Sequence, residues 1–172
     1  VYSAGLNLGG AGGDTELFID LAQAGSANAY FTGKNSASWS DIGNFATDQT
    51  GAITQSGNLT SVSNVFLTDN SPKAGNFASE TLDGSYTINS LSFTGTGTGA
   101  GSTSITLGPG SGGALTLDAL NGFTDASGNS YAAGTGLVVQ PGSAAHTIGV
   151  NINLATSEVF DVNNSPANQL TI

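Results

Sequence analysis

The sequence predicts an all-β protein built as a parallel β-helix, in which short strands stack in successive turns. The first observation is a repeat: apolar or β-prone triplets begin at Leu137, Ile148, Val159 and Leu170, with a constant 11-residue step between them. The second is the alternation of apolar with polar residues upstream, as in residues 81–93. A fixed step is typical of a coiled β-chain, because each turn must place equivalent residues above one another.

The same step predicts the length of a turn. Leu115 lies two steps before Leu137, which indicates about 22 residues per turn. Residues 121–135 then occupy the place of one missing step, and we expect them to form a loop that protrudes from one turn. An antiparallel β-sandwich is the alternative fold, since strands in sandwiches also recur about every 8–12 residues.

Strands are also predicted before the repeat begins. Residues 1–13 end in a Gly-Gly-Ala-Gly-Gly run, which predicts either an extended arm followed by a Gly-rich hinge or a disordered terminus. In residues 14–25 a helical stripe competes with a strand pattern; we favour the strand, with residues 30–31 as its partner. Residues 35–70 are typical of short strands and tight turns. The chain is thus divided into the arm and a single β-solenoid domain at residues 14–172.

The charge of the chain argues against nucleic acid and anionic membranes as partners. It has 12 acidic residues and only two basic ones, Lys34 and Lys73, for a net charge of −10. Affinity for phosphate depends on Lys and Arg, and two lysines cannot form a basic stripe. An anionic lipid surface is excluded on the same ground.

The composition favours an exported protein. Cysteine is absent, so no disulfide and no thiolate metal site is available. Methionine is absent as well, and the residues from Val1 onward are typical of a mature N-terminus left by signal-peptide cleavage. No run of about 18 apolar residues occurs, so we predict no insertion into a membrane. The predicted location is extracellular or at the cell surface.

Several motifs follow one another in a characteristic order. Residues 39–45 (WSDIGNF) are similar to a W-x-x-x-x-N-W/F opening, residues 88–93 to I-x-S-L-x-F and residues 114–117 to x-L-T-L. Residues 142–148 are similar to G-x-x-x-x-T-I, and the last pair, at residues 158–162 and 169–172, to x-W-x-V followed by L-T-I.

This order resembles bacterial proteins that carry autotransporter-associated β-strand repeats, over roughly residues 36–172. The resemblance implies a right-handed parallel β-helix in a secreted or surface-displayed protein. The chain is much shorter than is usual in that family, which favours a separate subunit over a single-chain stalk.

Catalytic chemistry is sparse, and we predict that the protein is not an enzyme. His146 is the single histidine; a triad would require Ser143 and Asp161 to reach it in space. An exposed turn histidine is the favoured interpretation. Glycoside cleavage needs two carboxyl groups about 5–9.5 Å apart. A solenoid would bring four candidates for this pair to one face, and these are Asp118, Asp125, Glu158 and Asp161.

No cofactor and no metal ligand is predicted, although calcium is the metal that the turns would suit. Calcium takes 6–8 oxygen ligands, and oxygen-rich turns occur at residues 69–70, 83–84, 125–129 and 161–164. Each turn alone offers too few ligands, and Asp and Asn are ordinary turn residues.

Five aromatic residues offer either a sugar-binding platform or core packing, and core packing is favoured because aromatics dominate buried area. They are Trp39, Phe45, Tyr86, Phe93 and Phe160.

The predicted function is structural: a subunit of an extracellular bacterial filament, sheath or matrix that assembles head to tail with identical subunits. An open final strand at residues 170–172 is expected to pair with another copy, and the N-terminal arm to be donated by β-strand addition. The residues expected to take part are Val1, Tyr2, Leu6, Leu8, Leu170 and Ile172. The alternative is a monomeric surface adhesin or carbohydrate-binding stalk fragment, whose partners would be surface glycans.

Overall fold

The computed structural model describes residues 2–8, 17–23, 27–67, 76, 78–94, 103–163 and 168–172. The chain is all-β in these residues, which contain strands and one short 3-10 turn, Ile42–Asn44. None of the described segments is a helix of a length and apolarity suited to crossing a membrane. The first strands are β1 (Tyr2–Leu8), β2 (Leu17–Gln23), β3 (Asn28–Phe31), β4 (Phe45–Ala46), β5 (Asn64–Leu67), β6 (Ser79–Leu82), β7 (Tyr86–Ile88) and β8 (Ser90–Phe93). The others are β9 (Thr106–Pro109), β10 (Ala114–Leu117), β11 (Phe123–Thr124), β12 (Ser130–Tyr131), β13 (Thr135–Val139), β14 (His146–Ile148), β15 (Asn151–Leu154), β16 (Val159–Val162) and β17 (Leu170–Thr171).

Three parallel sheets make up most of the structure. Sheet A has the order β16-β13-β8-β5-β3, with β4 added antiparallel to β3; sheet B is β17-β14-β9-β6 and sheet C is β15-β10-β7. From β5 onward the chain visits the sheets in the constant order A, B, C, so each circuit adds one strand to every sheet. The alternative of an antiparallel sandwich does not describe these sheets, because their neighbouring strands run parallel.

The three sheets share one hydrophobic core. In sheet A, Leu91 and Leu137 are register partners on adjacent strands, and both are fully buried. Leu107 of sheet B and Leu115 of sheet C belong to the same cluster of buried side chains. Successive side chains of a strand point to opposite faces, so the alternation in the sequence reflects strands with one face toward this core.

A ladder of amides fixes the register where the strands of sheet A begin. Asn64 Nδ2 donates to Asn28 Oδ1 at 3.0 Å, and Asn89 Nδ2 donates to Asn64 Oδ1 at 2.7 Å. Ser90 Oγ donates to the same oxygen of Asn64 at 3.0 Å. A buried polar group left without a partner costs about 1–3 kcal/mol, so the ladder disfavours a slip of these strands.

The insertion at residues 121–135 folds back onto sheet A. Its strands β11 and β12 pair antiparallel. Phe123 of β11 packs edge-on against Phe66, with ring centroids 6.1 Å apart, and Tyr30 and Val138 belong to the same buried cluster. The prediction of a protruding loop is therefore wrong. The hairpin covers the outer face of sheet A, because the aromatic residues on both surfaces gain free energy by leaving water.

The 11-residue step alternates between two sheets. Leu137 and Val159 lie in sheet A, whereas Ile148 and Leu170 lie in sheet B. The repeat does not include β15, the sheet C strand that lies between Ile148 and Val159 in the sequence. Leu115 lies in sheet C, so its assignment to the repeat is wrong, and no strand of the repeat is missing at the insertion.

The circuits differ in length. In sheet A one column of register partners runs from Val65 to Leu91, then to Leu137 and then to Phe160. The circuit from Leu91 to Leu137 is about twice as long as the circuit from Leu137 to Phe160. The predicted turn length thus fits only the last circuit. Earlier circuits are longer because they carry inserts between strands, including the β11–β12 hairpin.

The N-terminal segment forms a hairpin. Tyr2–Leu8 pairs antiparallel with Leu17–Gln23. The strand predicted within residues 14–25 is confirmed, but its expected partner, residues 30–31, pairs with β4 and β5 instead. The predicted arm is a paired strand, and the hinge at residues 9–13 lies outside the described residues.

Candidate assembly surface

One edge of the parallel sheets carries exposed apolar side chains. The edge strands there are β15, β16 and β17, which together we call the β15–β17 edge; no further strand of the described residues pairs with their outer sides. The described part of the chain exposes eight large hydrophobic side chains, and five of them belong to this edge or to the residue that follows it. These five are Leu154, Val159, Phe160, Val162 and Ile172.

The exposure arises because columns of core residues end at these strands. Phe160 is the register partner of Leu137 in sheet A, yet Leu137 is 0% exposed and Phe160 is 38% exposed. Val162 is likewise exposed, although its register partner Val139 is fully buried. Their residue types are those of core positions, yet these side chains lie on an unpaired strand edge. Such an edge is a template for pairing with another chain.

The opposite edge is covered by residues 32–63, which we call the cap segment. Its Trp39 and Phe45 are 1% exposed and pack edge to face, with ring centroids 5.6 Å apart. β4 pairs with β3, and Ser38 bridges Thr81 of β6, so sheets A and B both end against the cap segment. The two edges of the molecule therefore differ.

Sheet C is the exception on the capped side. No strand of the described residues pairs with the outer side of β7, and a cleft of about 320 Å³ lies between β7 and part of the cap segment. Ile42 and Leu59 line this β7 cleft on the cap side, and Tyr86 and Thr87 line it on β7. Sheet C thus has an edge without a described strand partner at each end, β15 at one and β7 at the other.

Two of the residues predicted for self-assembly lie at the β15–β17 edge. Ile172 is 62% exposed, and Leu170 is half-buried against the core. The predicted set did not include the other four large apolar side chains exposed at this edge, Leu154, Val159, Phe160 and Val162. Val159 begins a triplet of the repeat, so its signal was present in the sequence. Leu154 belongs to β15, which the repeat passes over.

The residues predicted for strand donation lie in β1. Tyr2, Leu6 and Leu8 each have a register partner in β2, and Val1 lies outside the described residues. The structure therefore shows an arm that is already paired within the chain.

His146 and Ser143 form a buried pair, but the hydrogen bond between them runs in the wrong direction for a general base and its nucleophile. Ser143 Oγ and His146 Nε2 are 2.6 Å apart. The backbone N–H of Ile105 donates to His146 Nδ1 at 3.1 Å, so the neutral imidazole carries its proton on Nε2 and donates it to Ser143. Phe93 stacks on the ring. The expectation of an exposed histidine is wrong: His146 is 2% exposed and satisfies two polar groups in the core.

Acid is expected to destabilise the fold through His146. Burial lowers its pKa from 6.5 to about 4. The neutral form therefore contributes stability that is fully present above about pH 6.5 and is lost as the pH falls toward 4. At about 1.4 kcal/mol per pKa unit the loss is about 3 kcal/mol. Urea unfolding of the wild type and of His146→Gln at both ends of this range measures it, since glutamine offers an acceptor to Ile105 and a donor to Ser143. Parallel pH profiles would contradict the assignment.

The four carboxylates considered for sugar cleavage fall into two groups. Burial raises the pKa of Glu158, and the nearby charge of Asp118 adds to the effect. Asp125 and Asp161 both lie near Tyr131, whose pKa is raised by burial first and by these two charges in addition. The described residues contain no group of three or more His, Cys, Asp or Glu side chains arranged to hold a metal ion.

Calcium binding at the oxygen-rich turns stays a prediction. Residues 69–70 lie outside the described part of the chain. Asp125 Oδ1 accepts hydrogen bonds from the backbone N–H groups of Ser127 and Asn129, both at 2.9 Å. Asp83 Oδ2 accepts from a serine hydroxyl of the cap segment. These carboxylates therefore stabilise the turns and contacts around them.

Core packing is confirmed for three of the five aromatic residues. Trp39, Phe45 and Phe93 are at most 1% exposed. Tyr86 is half-buried beside Trp39, with ring centroids 5.8 Å apart, and Phe160 faces solvent at the β15–β17 edge.

Comparison with protein-family models, with curated proteins and with solved structures gave no match for this chain. The resemblance to autotransporter-associated β-strand repeats therefore stays a prediction.

Proposed function

We propose that the protein is a structural subunit of an extracellular bacterial filament, sheath or matrix, in which copies assemble head to tail. In this proposal the three parallel sheets form a right-handed parallel β-helix, the hand that parallel crossover connections nearly always take. The observation that carries the proposal is the β15–β17 edge, where three edge strands and five large apolar side chains lie together. Exposed apolar side chains along open strand edges favour pairing with further strands.

Sheet C supplies a matching edge on the capped side. Thr87, Thr116 and Asn153 share one register position on its three strands. A second copy stacked in the same register brings its Thr87 next to Asn153 and continues sheet C from β15 into β7. Because the two surfaces differ, the contact is heterologous. Stacking in register along the direction in which the strands follow one another in sheet C repeats the contact without closing into a ring, which produces a filament.

Strand donation by Tyr2–Leu8 is proposed as an alternative to the stacking of β15 on β7, because the outer side of β7 can pair with only one strand. β1 is paired with β2, so donation requires that β1 leave β2 or that the hairpin pair through the outer side of β2. The β7 cleft is the acceptor we favour, since the apolar side chains of Ile42 and Leu59 lie beside an open strand edge. β-strand addition uses this combination of main-chain pairing and side-chain pockets.

The proposed partners are identical subunits, at an extracellular or cell-surface location. The net charge of −10, with only two lysines, supports neither nucleic acid nor anionic lipid as a partner. Surface glycans stay the proposed partners in the alternative, a monomeric surface adhesin.

An engineered disulfide tests the stacking of β15 on β7. The chain has no cysteine, so a variant with both Thr87→Cys and Asn153→Cys contains only the two introduced thiols. Neighbouring strands lie about 4.8 Å apart, within the Cα separations that a disulfide spans. Under oxidising conditions we expect a ladder of covalent oligomers on a non-reducing gel and fibres in negative-stain images.

Each single-cysteine variant is the matched control, because it can form no more than a covalent dimer. An equimolar mixture of the two single variants should give the mixed dimer at well above twice the amount of either homodimer, since random pairing alone gives a ratio of 2:1:1. A double variant that stays monomeric on the gel, in a preparation that shows no fibres, would overturn the head-to-tail proposal.

A further inference from the structure

A cleft of about 430 Å³ lies beside the β11–β12 hairpin. We call it the Tyr131 cleft; it is lined by Ser127, Asn129, Tyr131, Gln140, Pro141 and Asn163. The first three belong to the hairpin, the next two follow β13, and the last follows β16. Inserts in solenoids commonly lie on one face and form the binding surface, and this volume is within the range of ligand sites.

The three amide side chains of the cleft are held by their nitrogen atoms. Asn129 Nδ2 donates to Asp125 Oδ2 at 2.9 Å, and Gln140 Nε2 donates to the same oxygen. Asn163 Nδ2 donates to Asp161 Oδ1. Within the described part of the chain, no donor binds the carbonyl oxygens of these amides. The two carboxylates thus orient three acceptors and leave them available to a ligand.

Tyr131 supplies a flat aromatic wall. Phe123 stacks on one face of its ring, with centroids 4.8 Å apart and planes inclined by 24°. The ring is therefore fixed, and only its other face and its edge remain for a ligand. An aromatic ring with neighbouring hydrogen-bonding groups suits a ligand that has both C–H and O–H surfaces.

The charge around the cleft disfavours an anion. All six lining side chains are uncharged. Burial raises the pKa of Tyr131, and the negative charges of Asp125 and Asp161 raise it further. An anionic ligand would meet these charges with no lysine among the lining residues. A purely apolar ligand would leave the amide carbonyls without partners, at a cost of about 1–3 kcal/mol each.

We infer that the Tyr131 cleft binds an uncharged saccharide. Hydroxyl groups of the sugar donate to the carbonyl oxygens of Asn129, Gln140 and Asn163, and a sugar ring lies on the free face of Tyr131. This inference adds a ligand to the proposed structural role and does not depend on assembly, because the site is complete within one chain.

Calorimetric titration of the purified chain tests the inference. The probes are soluble neutral glycans (mannan, galactan, β-glucan and chitin oligosaccharides) in the presence of EDTA, with polygalacturonate as the anionic probe and calcium chloride as the metal probe. We expect at least one neutral glycan to bind with a Kd of about 1 mM or lower. Asn163→Ala should weaken that binding about tenfold, the effect of one lost hydrogen bond.

Asn58→Ala is the matched control, since Asn58 is an exposed amide that lines the β7 cleft instead. Its affinity should stay within about twofold of the wild type. Three results would overturn the inference: no neutral glycan binds, polygalacturonate or calcium alone binds in place of the neutral glycans, or Asn58→Ala weakens binding as much as Asn163→Ala. Asn163 is exposed, so its variant is expected to fold.

Discussion

A subunit carrying Val159→Asp and Val162→Asp is expected to stay monomeric at concentrations at which the unaltered chain forms filaments. The two side chains are 59% and 43% exposed, so the isolated subunit tolerates the charges. In a filament the next copy would cover them, and burying an unpaired carboxylate costs several kcal/mol. The concentration needed for assembly should therefore rise more than about 100-fold, equivalent to about 3 kcal/mol. Sedimentation velocity over a concentration series measures this shift.

Leu120→Asp is the control for this pair of substitutions. Leu120 is 63% exposed but lies in the segment between β10 and β11 and belongs to none of the edge strands. Its variant should assemble at about the same concentration as the wild type, and all three proteins should unfold at similar urea concentrations. Equal shifts in the two variants would show that added charge alone prevents assembly, and the proposed surface would be wrong.

Trp39→Phe is expected to destabilise the fold by about 3 kcal/mol, because it removes the described partner of a buried carboxyl group. Trp39 Nε1 donates to Glu80 Oε2 at 2.8 Å, and both residues are 1% exposed. The other oxygen, Glu80 Oε1, is buried without a described partner. Adding Glu80→Leu to Trp39→Phe should recover most of the loss, since it removes the unpaired group. Urea unfolding of the two single variants and the double variant gives the coupling between the residues.

A pH profile distinguishes the effect of the buried Glu80 carboxyl group from a simple loss of packing around Trp39. Burial raises the pKa of Glu80 well above its ordinary value of 4.5, and the hydrogen bond from Trp39 opposes the shift. The stability gained from the protonated carboxyl is fully present below about pH 4.5 and declines as the pH rises. Glu80→Gln should remove this decline. A Glu80→Gln profile identical to that of the wild type would exclude Glu80 as its source. His146 lowers stability as the pH falls, whereas Glu80 lowers it as the pH rises. The Glu80→Gln and His146→Gln variants therefore separate the two contributions.

The all-β class could be predicted because alternation with a period of two reports directly on strands with one buried face. In Ser90–Phe93, for example, Leu91 and Phe93 are the core positions. The same signal fails for Asn151–Leu154, where three of the four residues are exposed at a sheet edge. The strand β15 was therefore missed, and Leu115 of β10 was assigned to the repeat instead of to the same sheet as β15.

The two candidate sites differ in how far the sequence could predict them. The β15–β17 edge contains a triplet of the repeat at Val159, so part of it could be found from spacing. The Tyr131 cleft could not, because it joins Asn129 to Asn163 through the fold of a hairpin and the pairing of β13 with β16. In the sequence, Asp125 and Asp161 are recognisable only as parts of oxygen-rich turns. The fold is needed to show that they hold the amides of one cleft.

The unequal circuits separate what this protein must keep from what it can change. The sheet A columns stay continuous although the circuit that ends at Leu137 is about twice as long as the one that follows it. Inserts between strands can thus lengthen or be exchanged without altering the stacked strands, as surface loops generally tolerate. The hairpin that supplies half of the residues lining the Tyr131 cleft is such an insert. Under the proposed saccharide binding, changes confined to this hairpin would alter ligand preference and leave the stacked strands as they are.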